Sequence, residues 1–272
     1  MLIRSACLLA AFFVLTPAYA TTETTDRWAG IRSNLFGDRP IAEDAGKVLK
    51  LETPVRAEDA AIVPISIKTL VPQTSENYIK KVYLVIDKNP SPVGAVFHFT
   101  PDSGRADIDT RIRIEEYSNV RAIAEMNDGK LFMATNFVKA SGGCSAPAGK
   151  DAEAALARVG KMKFRLDDKI EMNQPNVAQL LISHPNFSGL AMDQLTRNFT
   201  PAYFVRKVEV SYAGKPIMTA EVDFTISEDP NFRFYFVPKE KGELTAKIVD
   251  TKDLEFKSSI EISPAAATAR GS

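Results

Sequence analysis

Apolar residues recur at every second position through most of this chain, and that period restricts it to half-buried β-strands packed face to face. Val222, Phe224 and Ile226 alternate with Glu221, Asp223 and Thr225. Phe232, Phe234 and Phe236 alternate with Arg233 and Tyr235, and Leu254, Phe256, Ile260 and Ile262 with Glu255, Lys257 and Glu261. In the first half Ile112 and Ile114 alternate with Arg111, Arg113 and Glu115. Denser apolar strands are expected at Ile62 to Ile67, Val82 to Ile86 and Val93 to Phe99. Turn sequences at Asn127-Asp128-Gly129 and Ala213-Gly214-Lys215, and prolines such as Pro90 and Pro92, separate the strands.

The pattern predicts about seven strands in Lys47 to Asn136 and about seven in Met162 to Ile262. The expected fold is therefore all-β, two immunoglobulin-like β-sandwich domains joined by a loop and short helix, with a short N-terminal helix. Helical period is confined to Thr25 to Leu35, with Trp28, Ile31 and Leu35 on one face, and to Asp151 to Val159, rich in alanine. Expected boundaries are a signal peptide at 1–20, a first sandwich at 21–150, a helical linker at 151–160, a second sandwich at 161–264 and a disordered tail at 265–272.

The first twenty residues read as an export signal. Arg4 supplies the basic start, Cys7 to Leu15 the apolar run, and Ala18-Tyr19-Ala20 a small-residue cleavage site. No later apolar run approaches the ~20 residues that span a bilayer, so no membrane span is expected. The 34 basic residues balance the 34 acidic ones, and neither nucleic acid nor an anionic surface is implied as a partner.

Export makes cysteine the informative residue. Of the two in the chain, Cys7 leaves with the signal and Cys144 stays, in Ser141-Gly142-Gly143-Cys144-Ser145-Ala146-Pro147-Ala148-Gly149. An unpaired thiol in an oxidising compartment needs a reason. Burial in the core is one reading, but glycine, serine, alanine and proline offer nothing to pack against, so an exposed covalent handle on a flexible arm is expected. Enzyme motifs are absent: no Cys-x-x-Cys, no Gly-x-Ser-x-Gly elbow and no phosphate-binding glycine loop, so no catalytic residue, metal site or cofactor is assigned. The two histidines, His98 in a strand and His184 in a turn, are weak candidates. A Cys144–His nucleophilic pair stays open, although a flexible arm holds a nucleophile poorly.

Several segments together carry a family resemblance. They are Trp28 to Ile41 (WAGIRSNLFGDRPI), Arg56 to Ala61 leading into Val63-Pro64, Asp87-Lys88-Asn89-Pro90, Thr110 to Arg113, Tyr117 to Arg121 and Gly142-Gly143-Cys144. In the second half they are His184-Pro185 through Gly189, Pro201 to Val205, and Asn231 to Phe234. In this order the chain resembles a fusion of SoxY and SoxZ, the sulfur carrier of bacterial sulfur oxidation, and more closely the SoxYZ-like proteins associated with quinoprotein dehydrogenases. The resemblance implies a periplasmic carrier without turnover, with Cys144 as the covalent attachment point and Gly142 and Gly143 as its flexible arm. Implied partners are sulfur-oxidation or quinoprotein dehydrogenase system proteins, among them a c-type cytochrome. Here Ser145-Ala146 replace the glycines that follow the cysteine in SoxY, and the chain continues. A doubly anchored loop reaches about half as far as a free arm, which for nine residues spans ~30 Å at most. A thiol acting as an enzyme on its own, and a non-covalent binding module for a quinoprotein dehydrogenase or its cytochrome, are the competing classes.

Overall fold

The computed structural model describes residues 27–43, 45–147, 152–192 and 196–263. The expected signal segment, the end of the cysteine loop and start of the linker at 148–151, and the expected tail lie outside them. The first half comprises helix α1 (Arg27–Phe36) and strands β1 (Ile41–Ala42), β2 (Leu49–Glu52), β3 (Val63–Thr69), β4 (Ile79–Ile86), β5 (Val93–Phe99), β6 (Ile108–Ile112), β7 (Ser118–Met126) and β8 (Leu131–Val138). Helix α2 (Ala152–Ala157) precedes β9 (Met162–Leu166), β10 (Asn176–Ile182), β11 (Val205–Tyr212), β12 (Lys215–Val222), β13 (Asn231–Phe236), β14 (Gly242–Asp250) and β15 (Glu255–Ile262). The fold is all-β and immunoglobulin-like, with seven strands in each of the two expected stretches.

Two sheets face each other, and both run through both halves. The larger has nine strands in the order β1-β8-β7-β4-β5-β12-β11-β14-β15, the smaller six in the order β2-β3-β6-β13-β10-β9. Strand β5 pairs antiparallel with β12, from Phe99 opposite Met218 to Ala95 opposite Val222, and β6 meets β13 at Asp109 and Arg233. The halves are thus joined sideways by backbone hydrogen bonds as well as by the connection through α2. One apolar core fills the space between the sheets, with Phe97, Phe232, Phe234 and Phe236 fully buried in it. Alternation did this work: each phenylalanine of β13 points inward while Arg233 faces solvent.

A smaller apolar cluster holds α1 against the outer face of the nine-stranded sheet, where Trp28 and Phe36 meet Val85, Ile123, Leu131 and Met133. The Arg121 guanidinium lies 4.4 Å from the Trp28 ring and is fixed by Asp87 at 2.8 Å.

One expected strand ends early. The alternation at Val222, Phe224 and Ile226 continues past the end of β12, yet the backbone turns at Asp223, whose Oδ1 accepts from the Thr225 N–H at 2.7 Å. A side chain from the other half takes the carbonyls of Phe224 and Ile226, and that side chain belongs to the candidate site.

Candidate functional site

Cys144 is expected on an exposed flexible arm, and the structure overturns that expectation: the residue is 1% exposed. Its neighbours are indeed too small to bury it by apolar packing. Hydrogen bonds to its backbone, from both halves, fix the loop in this buried place.

After β8 the chain runs back along the segment between β6 and β7. The Gly142 N–H donates to the Glu115 carbonyl at 2.8 Å and the Gly143 N–H to the Ile114 carbonyl at 2.9 Å, while the Ile114 N–H donates to the Ala60 carbonyl at 2.9 Å. The two glycines do different jobs, and neither is a free hinge. Gly142 turns the chain at φ +80° in open space; a Cβ on Gly143 would sit 2.0 Å from the Ala60 carbonyl oxygen, so only glycine lets these backbones approach.

The Glu115 carboxylate then fastens the loop. One oxygen accepts from the N–H groups of Cys144 at 2.8 Å and Ser145 at 3.1 Å, and the other from the Ser145 hydroxyl at 2.7 Å. From the second half, the Ser188 hydroxyl donates to the Cys144 carbonyl at 2.5 Å. Glu115 is itself placed by Asn89, whose side-chain oxygen accepts the Glu115 N–H at 2.9 Å and whose amide donates to the Arg113 carbonyl at 2.8 Å.

Arg113 is the second unexpected residue. The alternation puts it on a solvent face, but it is 8% exposed and reaches across to the second half, donating from Nη1 to the carbonyls of Phe224 at 2.8 Å and Ile226 at 2.7 Å. Burial lowers its tendency to hold a proton, opposed by the nearby carboxylates of Glu228, Asp223 and Asp59. A guanidinium stays charged in such surroundings.

These groups set the state of the thiol. Burial first, and then the Glu115 charge, push the Cys144 pKa up to about 12, with Arg113 pulling the other way. In this arrangement the group is a neutral thiol and a poor nucleophile. Beside it a cleft of about 190 Å³ opens between the halves, lined by Asp59, Arg113, Pro147, Phe187, Ser188 and Glu228 among others.

The histidines stand elsewhere. His98 on β5 contacts Glu221 on β12 at 3.3 Å, across the junction of the halves. His184, expected in a turn, is buried: its Nδ1 accepts the Asn186 N–H at 3.1 Å, and its Nε2 lies 3.8 Å from Asp250, whose Oδ2 is taken by the Tyr203 hydroxyl at 2.9 Å. Burial outweighs the attraction of Asp250 and lowers its pKa to about 4. The described contacts of both rings go to these partners, so the open Cys144–His pairing finds no support in the geometry. Asn186 supports the site from behind, donating to the Ile226 carbonyl at 3.1 Å. No cluster of three or more metal-ligating side chains occurs among the described residues.

Glu115, Arg113, Asn89 and Ser188 were not singled out from sequence. The signal that finds them is positional: each lies in or beside one of the family-like segments, and the fold gathers those segments around Cys144. Two family models match this chain. Residues 32–144 match the one described as sulfur oxidation protein SoxY, and residues 164–261 the one described as sulphur oxidation protein SoxZ. The chain therefore carries SoxY and SoxZ domains of the sulfur-oxidation family joined in one SoxYZ-like polypeptide. Members of that family act as carrier or accessory proteins rather than as enzymes, alongside the other proteins of a sulfur-oxidation system.

No curated protein matches the chain. Among solved structures, a superoxide reductase (neelaredoxin) from Ignicoccus hospitalis aligns at 20% identity and TM-score 0.31, over 36% of this chain and 86% of its own. A putative superoxide reductase from Thermotoga maritima aligns at 15% and 0.30, over 37% and 92%. Fibronectin(III)-like modules of Clostridium thermocellum CbhA align at 13% and 0.25, over 79% and 93%. Likeness at this level says nothing about chemistry.

Proposed function

We propose that the protein is a periplasmic covalent carrier in which Cys144 binds sulfur-containing intermediates for partner redox enzymes. The observation that carries this reading is the convergence on one unpaired cysteine: Glu115 from the first half and Ser188 from the second hold the loop that bears it, and Asn89 holds Glu115 in place. Gly142 and Gly143 set the path of that loop, and Cys144 is the last residue of the SoxY match.

Loading joins the Cys144 thiol to a sulfhydryl-type sulfur of the cargo. One S–S bond forms, two protons leave, and two electrons pass to a partner redox protein of the c-type cytochrome class. The buried thiol must first reach solvent, so the loop opens by releasing Glu115 and Ser188 before thiolate forms. Quinoprotein dehydrogenase systems supply the partners in this reading. Export through the expected signal at 1–20 places the protein with them.

Burial of the thiol favours a second reading, a non-covalent accessory module for a quinoprotein dehydrogenase or its cytochrome. The two separate on the intact mass of protein purified without reductant from its natural source, before and after reduction, with Cys144→Ala alongside. A reducible added mass on Cys144 supports the carrier; an unmodified thiol that also resists loading supports the accessory module.

A further inference from the structure

The nine-stranded sheet ends on β15, an eight-residue strand that pairs with β14 along one side and has no hydrogen-bonded neighbour along the other among the described residues. A long open strand edge offers a row of unpaired backbone groups to any complementary strand. Glu255, Lys257, Ser259 and Glu261 face outward, while Phe256, Ser258 and Ile260 are half-buried toward the core side.

The charges on this strand are poorly matched to its own neighbour. In the β14 pairing Lys257 stands opposite Lys247 and Glu261 opposite Glu243, both like-charged pairs. Lys247 turns aside to Glu255 at 2.8 Å and Lys241 reaches Glu261 at 2.7 Å, but Lys257 has no ion pair among the described residues.

They are well matched to a second copy of the strand. In an antiparallel pair of identical strands, keeping the outward residues on one face requires a two-fold axis at a residue rather than between two. With the axis at Ser258, Glu255 meets Glu261 and the pair repels; with the axis at Ile260, Lys257 meets Ser263 and Glu261 meets Ser259. With the axis at Ser259, Lys257 of each copy meets Glu261 of the other, and Phe256 meets Ile262. An axis at Phe256 also sets Glu255 against Lys257 but overlaps only residues 255–257 of the strand; among registers that pair most of β15, the one about Ser259 alone supplies two opposite-charge pairs, and it covers Phe256. A strand edge that only repels other strands needs no such self-complementarity. We infer that the protein self-associates through β15, two copies pairing antiparallel about Ser259 to continue the nine-stranded sheet across a two-fold axis.

The interface needs no contribution from the cysteine loop and stands or falls independently of Cys144. Its test is sedimentation equilibrium on the intact protein, from about 1 μM to a few hundred micromolar, with Cys144→Ala as background to remove disulfide dimers. Concentration-dependent dimer is expected for that protein. Lys257→Glu and Glu261→Lys each set like charges opposite one another twice and should weaken the dimer about tenfold. Mixing the two variants, or combining both substitutions in one chain, restores opposite charges and should restore the dimer, which a misfolded variant cannot do. A protein that stays monomeric throughout, a dimer indifferent to both substitutions, or a failure of mixing and of the double variant to restore association each overturns the inference.

Discussion

The Glu115 carboxylate sits 2.8 Å from the Cys144 N–H and holds Ser145 through both its N–H and its hydroxyl. Three hydrogen bonds to one ionised group anchor the loop, and such bonds are stronger than neutral ones. The carboxylate also raises the thiol pKa by its charge.

Removing that carboxylate should unlatch the thiol. In Glu115→Ala, loss of about 2 kcal/mol of closed-state stabilisation makes the open loop about thirtyfold more populated. Removing the charge shifts the thiol pKa downward as well. The second-order rate of Cys144 labelling by a disulfide reagent at pH 8 should rise by at least that factor, with Glu115→Gln intermediate and Ser188→Ala smaller. A rate equal to the unsubstituted protein's in Glu115→Ala would show that something other than this carboxylate closes the loop.

The two glycines should separate in the same assay and in thermal unfolding. Gly142→Ala meets only the cost of a left-handed backbone, about 1 kcal/mol, or about 2–4 °C in Tm for a chain of this size. Gly143→Ala drives a methyl into the Ala60 carbonyl, so either the loop leaves its groove or the backbones part. Faster labelling of Cys144 and a larger drop in Tm than in Gly142→Ala are expected. Equal behaviour of the two would count against the close approach.

Much of the fold follows from local pattern, and most of the site does not. Two-residue alternation identifies β13 because Phe232, Phe234 and Phe236 need one buried face, and Trp28 marks the helix face for the same reason. The unpaired cysteine is also visible, since the other cysteine, Cys7, falls within the expected signal segment. Its burial is not, because the group that closes over it, Glu115, lies 29 residues earlier in a stretch whose alternation reads as solvent-facing. Arg113 fails the same test: its burial depends on carbonyls of Phe224 and Ile226 more than a hundred residues away, freed by the turn at Asp223. The same alternation that correctly predicts strands for Ile112 wrongly extends β12 through Ile226, because tertiary demand for those carbonyls outweighs local preference. The sideways pairing of β5 with β12 carries no local signature at all.

Alkaline pH should weaken the protein through Cys144. Its folded pKa is raised from 9.0 to about 12, so the folded state holds the proton more tightly than the unfolded one. The stabilisation is complete below about pH 9 and is lost as pH rises toward 12. Lysine and tyrosine titrate in the same range, so the difference between the protein and Cys144→Ala isolates the effect. Denaturant midpoints of the two should converge progressively above pH 9; a constant gap up to pH 11 would contradict a buried neutral thiol.

His184 should produce the opposite trend in acid. Its folded pKa is lowered from 6.5 to about 4 because the ring is buried, with Nε2 lacking a hydrogen-bond partner and Asp250 too weakly coupled at 3.8 Å to offset desolvation. A depressed histidine pKa means the unfolded state binds the proton first. Stability from this residue is therefore complete above about pH 6.5 and is lost as pH falls toward 4. The full effect is about 3 kcal/mol from the size of the shift. His184→Gln, whose side-chain carbonyl can accept the Asn186 N–H in place of Nδ1, should be less stable at pH 7 yet lose less stability between pH 6.5 and 4. Because Asn186 also holds the Ile226 carbonyl that Arg113 uses, the pH 7 loss should appear as faster Cys144 labelling too. Parallel pH profiles for the two proteins would mean that His184 is charged, or already exposed to water, in the folded state.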